Sequence, residues 1–221
     1  MPTEAIEIIR DHVEVCMPQK LVAKIQQQFP NVSSSQIYTS WAQMSKILWR
    51  RDKDQLTSAN ILLNEYGDDV DHFKVTPLPD VQIIAFGMKK IANTLLEHVV
   101  EVAQDATYNT NSKHLELYSI LGEHDGAGYP LGYCLLSTAS SITIDKRRKS
   151  LEAWATHIRE KYNITPCFGH VDKDLVEIKE IQNVWPEIKI QICWWHLQRA
   201  VHERLAKNKL STTLYNAIEA Y

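Results

Sequence analysis

Downstream of Pro77 and Pro79 the apolar residues stop recurring at helical spacing and fall into short runs bounded by turn residues. This switch is what most constrains the fold. Residues 81–86 read as a strand and 89–97 as a short helix or turn. Three further runs, at 99–105, 115–122 and 132–136, read as successive strands, the last two joined through His124-Asp125-Gly126-Ala127-Gly128 as a hairpin-type loop. Residues 146–162 then place Leu151, Trp154, Ala155 and Ile158 on one helical face. A strand at 166–171, a helix at 175–185 stopped by Pro186, and a strand at 189–193 complete the pattern. The order β-β-β-α-β-α-β-α predicts an antiparallel meander whose helical crossover returns the fourth strand parallel to the first. The expected fold class is α/β, a mixed five-stranded sheet with flanking helices.

Before that switch, the chain reads as an all-helical N-terminal region over residues 1–71. Ile6, Ile9 and Val13 recur at helical spacing, as do Leu21, Ile25 and Phe29, and then Ile37, Trp41, Met44 and Leu48. Pro18 and the Pro30-Asn31-Val32-Ser33 turn divide these helices, and residues 58–65 add a fourth. The sheet domain is expected over 81–208, with a helical tail at 209–221. With 44% hydrophobic and 23% charged residues in 221, the chain can bury a core of ordinary size and is not a candidate for disorder. A formal charge of −3 argues against a uniformly basic nucleic-acid surface, so any such face has to be local. Four widely spaced cysteines, Cys16, Cys134, Cys167 and Cys193, predict no disulfide framework and an intracellular setting. Neither an export signal nor a membrane span is expected.

Apolar runs lead into two acids. Val99, Val100 and Val102 precede Asp105, while Cys167, Phe168 and Val171 precede Asp172, so each acid is expected at the C-terminal end of a strand. If the fourth strand lies beside the first, both acids reach the same edge of the sheet. Two carboxylates on a rigid edge suit divalent metal, because Mg2+ prefers hard oxygen ligands. The plainer alternative is that each acid shapes a turn or caps a helix, Asp172 in particular capping one that starts at Lys173. Asp174 ranks second to Asp172 and is more natural in the first helical turn, where it meets the helix dipole.

Cys193 and His196 have the spacing of half a zinc site, but no second Cys/His pair accompanies them, and local packing is the favoured reading. Trp194 and Trp195 are expected in core and edge packing in preference to base stacking. The basic run Lys146-Arg147-Arg148-Lys149 reads first as a solvated helix face, with phosphate contact or nuclear import as the alternative. No glycine-rich phosphate loop and no serine nucleophile elbow occurs.

The segment DATYNTN at 105–111, the segment GHVDKDLVEIKEIQNVWPEIKIQICWWHLQRAV at 169–201, and their separation resemble the MULE (Mutator-like element) transposase domain. The helical stretch at 35–59 is similar to the region that often precedes such domains. The resemblance implies an RNase H-like fold of the DDE superfamily, and cutting and joining of DNA at element ends with Mg2+ or Mn2+. Asp105 then matches the first catalytic, metal-binding acid and Asp172 the second, and Cys193 and His196 match the family's Cys-x-x-His. The family's third acid, a Glu, follows a long insertion after that motif, and neither Glu203 nor Glu219 matches its position. The chain is therefore expected to be incomplete before the third acid and inactive in strand transfer alone. Its alternatives are a non-catalytic DNA- or protein-binding module and a fragment of a decayed element. DNA as partner, nuclear localisation and a homo-oligomer follow from the resemblance only.

Overall fold

Met1–Glu65 is one of two compact units, the second beginning at Tyr66, in a computed structural model that describes residues 1–95, 98–138 and 140–206. The first unit holds helices α1 (Thr3–His12), α2 (Pro18–Gln28), α3 (Ser34–Trp49) and α4 (Gln55–Glu65). Pro18 opens α2, where its missing N–H is not needed. Ser33 and Gln36 form a reciprocal capping box that starts α3. Ala5, Ile9, Leu21, Ile25, Val32 and Ile37 form the buried centre, and Trp41 packs against it while its indole N–H donates to the Cys16 carbonyl at 2.9 Å.

The second unit is a mixed sheet of seven strands rather than five. Its elements are β1 (Asp71–Phe73), β2 (Ile83–Gly87), α5 (Lys89–Leu95), β3 (Glu101–Thr107), β4 (Glu116–His124), β5 (Ala127–Leu136), α6 (Ile144–Tyr162), β6 (Phe168–Val171), α7 (Leu175–Val184), β7 (Lys189–Ile192) and α8 (Trp194–Ala206). The spatial order is β1-β2-β5-β4-β3-β6-β7. Strands β3, β4 and β5 form the antiparallel meander, and β6 and β7 continue it in parallel from β3, as the crossover argument requires.

Beyond the core five, β2, the strand read at 81–86, pairs antiparallel with β5, and the unanticipated β1 pairs antiparallel with β2. Three residues, Asp-His-Phe, are too few to alternate visibly, and tertiary contacts hold β1 in place. The Tyr162 hydroxyl donates to Asp71 at 2.9 Å, and Phe73 lies against the Tyr162 ring. The expected tail at 209–221 lies outside the described residues.

Local chemistry explains most boundaries. Asp125 and Gly126 both have positive φ, 52° and 75°, which gives the tight turn between β4 and β5 the twist a two-residue hairpin needs. Thr143 caps α6 by accepting from the Lys146 N–H at 3.3 Å, and Asn163 ends it in the left-handed region. The face expected for this helix, Leu151, Trp154, Ala155 and Ile158, is fully buried. α6 packs across β2 and β5, with α7 beside it over β6. Gly132 permits this approach, since a Cβ there would stand 2.7 Å from the Phe86 carbonyl and 2.8 Å from Ile158 Cδ1.

Candidate acidic site

Asp105 and Asp172 come to one edge of the sheet by register. The last paired rung between β3 and β6 joins Ala103 to His170; Asp105 stands two residues beyond it on β3, and Asp172 two residues beyond it, just past the end of β6. Adjacent strands run roughly 4.8 Å apart, so the two backbones deliver their carboxylates at the same level. Both line a cleft of about 400 Å3, together with Tyr108, Asp174, Glu177 and His196.

The helix-cap alternative for Asp172 does not hold. α7 begins at Leu175, and Asp174 is its N-cap, its carboxylate accepting from the Val176 N–H at 2.7 Å. Asp172 accepts only the neighbouring Lys173 N–H, at 2.6 Å, among its hydrogen bonds in the described residues. Asp174 is thus the structural acid of the pair.

His196 reaches the same cleft from α8. Its Nε2 lies 3.8 Å from Asp105 Oδ1, its Nδ1 is buried without a hydrogen-bond partner, and its ring stands edge-on to Trp195. Cys193 does not join it. That residue closes β7 through its N–H to the Val171 carbonyl at 2.8 Å and starts α8 by accepting from Leu197 at 3.0 Å. It does not contribute to the lining of the cleft. Glu203 lies on the α8 wall of the cleft and pairs with Arg199 at 2.9 Å, while Glu219 lies outside the described residues.

Two expectations about charged and aromatic residues are corrected. Trp194 and Trp195 are 66% and 57% exposed, not packed in the core, because α8 follows an edge strand and has no buried residue. The basic run is a solvated face except at Arg147: Lys149 is exposed, and Lys146 and Arg148 are partly so. Arg147 is buried and bonds Tyr118 Oη at 2.8 Å, Asp174 Oδ2 at 2.8 Å and Glu177 Oε1 at 3.3 Å. Lys146 lies 3.7 Å from Asp80, and Arg148 and Lys149 pair with Asp145.

Glu177 and Arg147 are the site residues that reading the sequence missed. Burial is the main cause that pushes the Glu177 carboxyl up to about 8; the charges of Asp174, Asp105 and Asp172 add to it and Arg147 opposes it. Arg147 loses hydration, but Asp174 and Tyr118 outweigh that loss and raise its pKa. A signal was available. Glu177 and Glu180 share the helical face of Ile181 and Val184, and acids on the apolar face of a helix call for partners. Despite their number, the acids do not converge: among the described residues no three His, Cys, Asp or Glu side chains stand close enough to enclose a cation.

The core order β5-β4-β3-β6-β7, with an acid beyond the last rung of each of two adjacent parallel strands, makes a mixed α/β domain with the strand order expected from the sequence. Residues 101–200, which contain both acids and His196, match the family model of the MULE transposase domain. This segment, 100 of the chain's 221 residues, is therefore similar to a MULE transposase domain. No curated protein and no solved structure gives a significant match.

Proposed function

We propose that the acidic cleft is the centre of metal-dependent DNA cleavage and strand transfer, with Asp105 and Asp172 as the ligands of Mg2+ or Mn2+. The observation that carries this reading is the shared register of the two acids at one cleft, inside the segment that matches the transposase domain. The donor set fits such an ion: carboxylates are hard oxygen ligands, and Asp172 keeps an oxygen clear of its one backbone contact. When bound, the metal would polarise the scissile phosphate and activate the attacking oxygen. Asp105 and Asp172 hold it, Asp174 and Arg147 fix the start of α7 beside it, and His196 faces Asp105. DNA is the substrate, which places the protein in the nucleus, and assembly into an oligomer on the two element ends belongs to the same reading.

The test is nicking of supercoiled plasmid DNA by the purified chain with Mn2+. Activity lost in both Asp105→Asn and Asp172→Asn supports the reading. Activity that survives either change, or that persists in excess chelator, overturns it.

A second reading is a DNA-binding module without catalysis, derived from the same source. It is favoured by the absence of convergence among the described acids. Salt-dependent DNA binding that is indifferent to divalent metal and to Asp105→Asn, without nicking, would establish it.

A further inference from the structure

Glu177 has an arrangement that structural packing alone does not explain. The residue is 2% exposed, and its two carboxylate oxygens are treated differently. Oε1 is held by the Arg147 guanidinium at 3.3 Å. Oε2 is buried and has no hydrogen-bond partner, yet the residue lines the cleft that Asp105 and Asp172 enter. A buried carboxylate oxygen without a partner is costly, and native proteins seldom keep one unless something else satisfies it.

From this we infer that Glu177 is a third carboxylate ligand of the cation site, presenting Oε2 from the floor of the cleft while Arg147 fixes its other oxygen. The inference rests on the acid-pair reading above and adds a residue to it.

The geometry gives each acid a distinct part. Glu177 cannot reorient freely, since Arg147 is anchored in turn by Tyr118 on β4 and by Asp174 at the start of α7. Asp105 is the opposite case, with a side chain 55% exposed and His196 Nε2 3.8 Å from its Oδ1. The acids do not enclose an ion as they stand, so closure falls to Asp105 and Asp172, moving toward a fixed oxygen of Glu177. Preorganising one ligand lowers the entropy that binding has to overcome. A site whose ligands are three carboxylates takes a hard, oxygen-seeking divalent ion such as Mg2+ or Mn2+.

The experiment is a Mn2+ titration of the full chain, followed by the electron paramagnetic resonance of free Mn2+, with thermal unfolding of each variant in parallel. Glu177→Gln preserves shape and the contact to Arg147 while replacing Oε2 by an amide nitrogen. It is expected to weaken Mn2+ binding by about tenfold or more, at least what loss of an outer-shell partner costs, without lowering the unfolding temperature of the metal-free protein. Wild-type affinity in Glu177→Gln, with binding lost in Asp105→Asn and Asp172→Asn, overturns the role of Glu177 and leaves the acid pair standing. No Mn2+ binding by the wild type overturns both. If Glu177→Gln fails to fold, Glu177→Asp serves instead: it keeps the charge but withdraws the oxygen, and wild-type affinity there also rejects the proposal.

Discussion

Glu180 is the most deeply buried acid among the described residues of the second unit, and neither of its oxygens has a hydrogen-bond partner. Burial pushes its carboxyl up to about 8, and the nearby Gln104 amide opposes this without reaching hydrogen-bond geometry. A folded-state pKa above the unfolded value means that the native protein holds the proton more tightly. The stabilisation is fully present below the ordinary carboxyl value of 4.5 and is lost as pH rises toward 8. Glu180→Gln is therefore expected to gain on the wild type as pH rises through that window, by on the order of 1 to 3 kcal/mol at its upper end. Urea unfolding of both proteins across the range checks this, and parallel curves would reject it. Arg147 gives the converse case. Arg147→Met leaves Glu177 buried without its cation and is expected to cost about 3 kcal/mol at pH about 8.5, and less at pH about 6, where Glu177 can take up a proton. Equal losses at both pH values would show that packing, not charge, dominates at Arg147.

Among the elements, α6 is the one on which the second unit most depends. Its capping residue and its buried face are both local features of the sequence, so Thr143→Ala is expected to cost about 1 kcal/mol through the lost cap. Gly132→Ala tests the packing of the same helix against β5. The added methyl meets backbone at Phe86 as well as the Ile158 side chain, and the expected cost is about 2 kcal/mol or more. Chemical denaturation of the two variants orders these effects, and a Gly132→Ala protein as stable as wild type would mean that α6 can shift away from the sheet. Helix α8 behaves differently. It carries His196 to the cleft but buries no residue, so its position depends on few contacts.

At the scale of the whole chain, the division at Glu65 and Tyr66 separates two hydrophobic centres, each assembled from its own residues. A protein beginning at Tyr66 and running to the end of the chain is expected to fold without the first unit. A cooperative unfolding transition and dispersed amide resonances would verify this, and a molten spectrum would refute it.

The sequence by itself determined the helices of both units and the order of the core strands, because helical spacing, caps, turn residues and alternating runs are local signals. It also determined the level of Asp105 and Asp172, once strand order was read as chain connectivity. Tertiary structure alone decided what those signals do not contain. The strand β1 exists because Tyr162 and β2 hold its three residues. Arg147, read in sequence as one charge in a basic run, is the buried partner of Tyr118, Asp174 and Glu177, residues 27 to 30 positions away. Trp194 and Trp195 look like core residues by type, and only the place of α8 after an edge strand leaves them in solvent. The physical reason is the same in each case. Local patterns fix backbone conformation, whereas burial and charge pairing depend on which distant segments the fold brings alongside.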